Sequence, residues 1–464
     1  MRRNCETVCQ KVGARWDASF AGVELTGAAT DSRVVTAGQL FACIPGKRVD
    51  GHDFAGHALA AGAGAILAQR MPENLPAGAP VLLVPDTVRA LGQLAAHWRQ
   101  QCSAKVIGVT GTAGKTTVKE ILAQLLSRRG TTAKNPLNLN NQIGLPLSIL
   151  NTTGSEEFWV MEVGISQPQD MDELGAILQP DLAVILNAGP GHAEGLGVRK
   201  IPYYKARLLK YLSRRGLGLA SADYPDLVRE CRAVCQNLYF FSADGKQVTY
   251  RAAYSGPAAE SRRGMYRLWL DGAPLDVEAP FRGRYGAENI IAVAAAADML
   301  GLNRAEIAAA FTEACLPIQR FAHRFADPWL IIDDSYNANP LSCRRMLEAA
   351  VEMAQGSPLV CVMGEMGELG EVAEVEHELL GRSLAAAFPK AVFWKGGHRE
   401  AVRSGLKREQ YFGEFIPVDS PEDFCRAFEG LHLLGGIILF KGSRFNRLEE
   451  FAKAFENRER MHAL

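Results

Sequence analysis

Residues 106–120 read VIGVTGTAGKTTVKE. The apolar run Val106, Ile107, Gly108, Val109 leads into Gly111 and Gly114, and Lys115, Thr116 and Thr117 then open a helical pattern. Strand, glycine loop, helix is the order of a phosphate-binding loop. Glycine reaches the φ/ψ values that turn backbone N–H groups around a phosphate and lets the backbone approach closely. The helix N-terminus adds its positive dipole end. Gly111, Thr112, Ala113, Gly114 and Thr117 form the cradle in this reading. Lys115 reaches the β- and γ-phosphates, and the Thr116 hydroxyl holds Mg²⁺. The three glycines at 108, 111 and 114 replace the stricter spacing of the commonest phosphate loop, but the strand and helix contexts agree.

The rest of the composition narrows the class. A chain of 464 residues has room for about two to four domains. Its 48% hydrophobic and 22% charged content are those of a soluble globular protein. Lys+Arg and Asp+Glu both number 51, so no global field argues for nucleic acid or an anionic membrane. The first residues, MRRNCETVCQKVG, lack a signal-peptide core, and no run of 18 apolar residues predicts a membrane span. The ten cysteines are scattered, and the pairs Cys5/Cys9 and Cys231/Cys235 do not have the usual zinc spacing. Reduced thiols, a cytoplasmic location and a monomer are the expectation.

Residues 1–102 predict a small mixed α/β domain, with strands near 40–44, 65–68 and 81–84 and a helix near 56–63. Its polar runs Asp31-Ser32-Arg33 and Gly46-Lys47-Arg48 read either as solvated loop charges or as holders of a diphosphate. Residues 103–316 predict a central doubly wound domain carrying the phosphate loop. Four asparagines, Asn135, Asn138, Asn140 and Asn141, crowd a turn beyond its helix and offer both donors and acceptors. Glu162 and Asn187 close two predicted strands, and ligands of doubly wound sheets sit beyond such ends. His192, in the loop GPGHAEG, is either structural or a ligand. Residues 201–212 predict one basic helix, and those from 218 to about 280 predict an antiparallel or mixed edge of the central sheet. Residues 317–464 predict a second doubly wound unit, of Rossmann-like type, in which strand, polar loop and helix recur.

These signals combine into a resemblance. DDSYNANP at 333–340, VMGEMGELG at 362–370 with His377 after it, KGSR at 441–444 and the first-domain run DSR…LF…PGKRVDGHDF resemble the Mur ligases over nearly the whole chain. The resemblance implies an ATP-dependent amide ligase of peptidoglycan precursor synthesis. Its substrates are UDP-N-acetylmuramoyl-tripeptide and D-alanyl-D-alanine, joined through an acyl phosphate. The first domain then holds the UDP sugar nucleotide, the central domain ATP, and the third domain the incoming dipeptide.

Roles follow by position. Lys115 and Thr116 serve the ATP phosphates and Mg²⁺. Glu162, His192 and Lys205 serve a pair of Mg²⁺ ions, with Lys205 as the lysine that is carbamylated. Lys200 is a second possibility for that role. Asn289 contacts adenine, Arg320 the γ-phosphate, and Asp334 the ATP from the third domain. Ser32, Arg33, Lys47, Asn138, Asn141, Asn337, Asn339 and Ser443 hold substrate. Four positions depart from the family's usual choice: Ala113 for Asn, Arg207 for Glu, Glu288 for His and Gln319 for Gly. A ligase of the same architecture with other substrates and a non-catalytic nucleotide-binding relative are the alternatives. A motor or switch ATPase leaves DDSYNANP and KGSR without a role.

Overall fold

The computed structural model describes residues 1–46, 48–73, 75–189, 193–259 and 263–462. Among them three large sheets follow one another along the chain. The first has four parallel strands in the order Ala28–Ala29, Leu40–Ala42, Ala65–Ala68, Val81–Leu83. The helix predicted beside it forms over Ala55–Ala60, and Thr87–Gln101 leads out of it behind the N-cap Asp86.

The second sheet has nine strands. Lys105–Thr110 lies between Phe158–Glu162 and Leu182–Ile185, parallel to both. The chain therefore leaves this strand towards one side and later returns on the other, which makes its carboxyl end the switch point of the sheet. Thr132–Lys134 forms one edge, and Leu217–Ser221 and Leu238–Ser242 extend the parallel part on the other side. Tyr250–Pro257, Gly264–Leu270 and Ala273–Ala279 complete it as the antiparallel edge that the sequence predicts.

Both faces of this sheet are covered, so its strands read as continuous apolar runs: Val106, Ile107 and Val109 are all fully buried. On one face Val118, Ile121, Leu122, Leu125 and Leu126 of the helix Lys115–Ser127 pack with Ile107, Val109 and Val184. Their spacing is that of one helical stripe, and each such side chain contributes about 1.5–3 kcal/mol on burial. Beside them runs Arg284–Met299, in which every residue from Ile290 to Ala297 is buried. The other face packs Met161, Ala183 and Ile185 against Leu174 and Leu178, and that core continues into Leu40, Leu67 and Leu82 of the first sheet.

The third sheet runs Ala322–Ala326, Trp329–Asp333, Gly436–Lys441, Leu359–Gly364, Ala391–Lys395, Glu414–Pro417, parallel except for its first strand. Alternate residues go to opposite faces. Ile332, Cys361 and Leu439 meet Met346 and Leu380, whereas Ile331, Val360 and Ile438 meet Phe424, Phe428 and Phe455.

One expectation needs correction. The basic helix predicted over 201–212 stops at Ala206 and tightens into a 3₁₀ segment, Arg207–Tyr211. Arg207 and the Tyr211 hydroxyl both bond the Asp172 carboxylate, and Leu208 and Leu209 turn into the core. Arg207, an unusual residue for its position, thus has a partner from a neighbouring helix.

Candidate active site

The phosphate loop leaves the carboxyl end of Lys105–Thr110, and the helix Lys115–Ser127 starts at once. Gly114 caps that helix at φ +84°, and a Cβ there would come within 2.4 Å of Asn289 Oδ1. The backbone conformation calls for glycine, and any larger residue would also push the Asn289 side chain aside. The first half of the loop is held by Asn187, whose Oδ1 accepts from the backbone N–H of Thr112 at 2.9 Å and of Ala113 at 2.8 Å. The first-turn N–H groups after it have no intrahelical acceptor and point out of the helix end. Lys115 Nζ donates to Gly111 O at 2.9 Å. A cavity of about 310 Å³ opens beyond the loop.

Glu162 stands beside it at the end of the next strand, and its backbone and carboxylate are both held. Its Oε2 accepts from the Thr116 hydroxyl at 2.7 Å and its Oε1 from Asn140 Nδ2 at 2.7 Å. Asn135 takes up its backbone, accepting from Glu162 N at 2.8 Å and donating to Glu162 O at 3.0 Å. Lys205 is 2% exposed. Burial, helped by the charge of Lys115 and opposed by Glu162, pushes its amine well below the usual lysine range. Burial also lowers Lys115, with Glu162 opposing and Arg320 adding to the effect.

The third sheet supplies the facing wall. Arg320 Nη2 donates to Thr116 Oγ1 at 3.3 Å, and its guanidinium lies 4.2 Å from the centre of the Tyr336 ring. The residues on either side of Arg320, Gln319 and Phe321, both have left-handed φ, +58° and +59°. That backbone is why glycine suits position 319, and Gln319 takes it up at a strain cost. Asp334 accepts from Lys441 Nζ at 2.5 Å and from Phe321 N at 3.0 Å. Asn339 caps the helix Pro340–Ala354 by accepting from Ser342 N, and its Nδ2 donates to Thr112 O at 3.3 Å, across to the phosphate loop.

Most of the residues predicted from sequence line this one cavity: 112–117, Asn138, Asn141, Glu162, Asn289, Arg320, Asp334, Asn337 and Asn339. Gly111 and Lys205 are not on its wall. Lys205 lies in the interior, and a Cβ on Gly111 would come within 2.9 Å of Leu186 Cβ. Two predicted substrate contacts keep a place on this wall, and a third needs correction. Asn141 Oδ1 also accepts from Ile143 N and Gly144 N, which holds the turn ahead of the helix Gly144–Leu150, and Asn138 is exposed at the rim. Ser443 is buried away from the cavity, where its hydroxyl accepts from Gly367 N and donates to Ala338 O. Ser32 and Arg33 lie outside this cavity altogether, and Arg33 pairs with Asp31. His192 and Lys47 lie outside the described residues. Missing from the sequence-based site are Asn140, Tyr336 and Lys441, which all line the cavity. Lys441 sits in the KGSR run and Asn140 in the asparagine cluster, so the motifs contain them without singling them out.

A nucleotide-type loop faced by a charged wall from a second α/β unit, with the four-stranded first sheet ahead of both, defines an ATP-dependent ligase architecture. The chain belongs to the Mur ligase family: profiles of the Mur ligase family catalytic domain, the Mur ligase middle domain and the Mur ligase glutamate ligase domain match residues 24–99, 109–297 and 319–444. The chain is 31% identical to UDP-N-acetylmuramoyl-tripeptide–D-alanyl-D-alanine ligase of Escherichia coli, over 94% of this chain and 95% of that one. It is 29% identical to the Bacillus subtilis enzyme of the same name over 98% of both. Among solved structures, MurF from Acinetobacter baumannii superposes with a TM-score of 0.88 at 27% identity, covering 98% of this chain and 99% of that one. MurF ligase from Thermotoga maritima in complex with ADP gives 0.82 at 30% identity, covering 94% and 98%.

Proposed function

We propose that this protein joins D-alanyl-D-alanine to UDP-N-acetylmuramoyl-tripeptide in the cytoplasm, as a monomer, at the expense of ATP. The likeness to ligases of that name over nearly the full length supports the substrates. The observation that carries the chemistry is the meeting of Thr116, Glu162 and Arg320 at the mouth of the phosphate loop. No helix among the described residues is long and apolar enough to cross a membrane.

ATP is a substrate in this reaction. A carboxylate oxygen of the tripeptide attacks the γ-phosphorus and ADP leaves. The amine of the dipeptide then attacks the acyl-phosphate carbonyl, loses a proton and displaces phosphate. The protein's task is to hold three reactants in line and to neutralise the charge between the first two. Lys115 exchanges its contact with Gly111 O for phosphate oxygens. Arg320 brings its charge from the third sheet to the γ-phosphate. Asn289, whose Oδ1 has no hydrogen-bond partner among the described residues, takes the adenine amino group. Asp334 meets the nucleotide, and Asn337 and Asn339 the dipeptide. Ser32, Arg33 and Lys47 hold the UDP moiety, with domain limits at 1–102, 103–316 and 317–464.

The Thr116 hydroxyl and the Glu162 carboxylate fit a hard divalent cation, because they are paired oxygen donors at the phosphate-facing helix end. Two Mg²⁺ ions would be held by Thr116, Glu162, His192 and Lys205, and they would screen the phosphate charge. A buried amine favoured in its neutral form is suited to capture CO₂ as a carbamate, which turns Lys205 into an anionic oxygen donor. The test is ADP and phosphate release with both substrates present and with each alone. Turnover that ignores either substrate would overturn the reading.

A further inference from the structure

A line of polar contacts runs from the phosphate loop to the third sheet and ends at Arg345, which also reaches the cavity wall. It starts at Asn187, whose Oδ1 holds the N–H groups of Thr112 and Ala113. Its Nδ2 donates to Ala113 O at 3.1 Å and to Glu288 Oε2 at 2.9 Å. Glu288 lies on the helix Arg284–Met299, and its side chain is 3% exposed. The same Oε2 accepts from Arg345 Nη1 at 2.5 Å. Arg345 comes from another part of the chain, the helix Pro340–Ala354 that packs on the third sheet, and its Nη2 donates to the Tyr224 hydroxyl at 2.5 Å.

The chemistry of this line is directional. A carboxylate only accepts, so the amide beside it must present its NH₂. That choice points Asn187 Oδ1 at the two loop N–H groups. Turned over, the amide would set oxygen against oxygen and leave both N–H groups facing an NH₂, each a buried and unmet donor. The Glu288 charge is in turn acceptable in the interior only with a cation beside it, and that cation belongs to the third sheet. Glu288 Oε1 has no hydrogen-bond partner among the described residues. A buried ion pair contributes little as pure stabilisation, and orientation is a use that fits it.

We propose that Glu288 and Arg345 are positioning residues: together they reinforce the Asn187 amide, and through it the first half of the phosphate loop, when the third sheet is docked. Nucleotide affinity is thereby coupled to the seam between the two units. This rests on the reading of the loop as a nucleotide site.

The experiment measures ADP affinity by calorimetry on the full chain as wild type, Arg345→Met, Glu288→Gln and the double variant. Arg345→Met leaves a buried charge unpaired, so ADP binds about tenfold more weakly or worse. In the double variant that charge is gone, and ADP binds at least about threefold more tightly than to Arg345→Met. A double variant that binds no more tightly than this overturns the proposal. So does an Arg345→Met protein that binds ADP like wild type, since a merely structural pair lowers the melting temperature and leaves affinity alone. Where Arg345→Met does not fold, Arg345→Lys replaces it: the charge stays, the two-pronged contact is lost, and a smaller loss is expected that Glu288→Gln again relieves. Wild-type protein that fails to bind ADP removes the nucleotide reading itself. Binding by wild type with uncoupled variants removes this inference alone.

Discussion

The seam between the second and third sheets and the loops of the first sheet both carry basic residues, but they are built on opposite terms. At the seam the charged groups are buried or partly buried and held by partners far away in sequence: Arg320 meets Thr116, Arg345 meets Glu288, and Lys441 meets Asp334. In the first-sheet loops they pair with near neighbours through carboxylates that stay in reach of water. Arg33 is 85% exposed and bonds Asp31 two residues away, and Asp50 bonds His52. Ion pairs in solvent are worth little and are screened by salt, whereas charges in a dry site act strongly on whatever develops beside them. The seam is therefore suited to chemistry and the outer loops to recognition. If that contrast is real, substitutions at the seam lower kcat and substitutions in the loops raise KM.

The largest effect is expected at Lys205. Lys205→Ala removes the buried amine beside Glu162, and kcat falls at least about 10³-fold, the upper end of what one charge-stabilising group is worth. If Lys205 carries the proposed carbamate, small carboxylates such as acetate should restore part of the rate by returning an anionic oxygen to the vacated space. Wild-type turnover, measured as phosphate release, would remove Lys205 from the mechanism.

Arg320→Ala comes next. Loss of one positioned donor at the γ-phosphate lowers kcat about 10²-fold, with the KM for the UDP substrate changed much less. A variant in which KM alone rises would place Arg320 among the recognition residues and blur the contrast.

The same contrast explains what is legible in the sequence. The phosphate loop is readable because its parts are consecutive, and Glu162 and Asn187 are readable because apolar strands end at them. Which asparagine faces inward is decided by the turn after Thr132–Lys134. Nothing in the run Asn138, Leu139, Asn140, Asn141 says that Asn140 takes the carboxylate while Asn141 holds the turn before the next helix. Arg344 and Arg345 look alike in sequence, and only the docking of two sheets brings the second to Glu288, 57 positions away. The edge strand Ala322–Ala326 reads AHRFA and is largely part-exposed, so it lacks the continuous apolar run that marks the inner strands. The departures at Arg207, Glu288 and Gln319 become intelligible only once their partners or backbone angles are seen.

On the recognition side, Arg33→Ala should leave kcat within about twofold and raise the KM for the UDP substrate by about three- to tenfold, in line with one solvated charge–phosphate contact. Raising the salt concentration should shrink the difference between wild type and variant, as a screened interaction requires. A fall in kcat of the size expected for Arg320 would mean that the outer loop takes part in the chemistry.

The smallest effect tests how the outer loop holds its shape. Asp50 accepts from His52 N at 2.9 Å, bonds the His52 ring and pairs with Arg70, while His52 Nε2 accepts from Gln69 N. The His52 N–H, then the His52 ring and Arg70, hold the Asp50 carboxyl well below the usual aspartate range. A carboxyl lowered in the folded state contributes its stability above the unfolded pKa of about 3.9 and loses it as pH falls towards the folded value. The group is partly solvated, so the contribution is at most about 1 kcal/mol. Hydrogen exchange reads it locally. The protection factors of the His52 and Gln69 amides should be higher in wild type than in Asp50→Asn at pH 7, and the difference should narrow below about pH 4. Seam amides such as Thr112 and Ala113 should not respond to Asp50→Asn at any pH. A response there would show that the two regions are mechanically coupled, and the division between a dry catalytic seam and a solvated recognition loop would have to be given up.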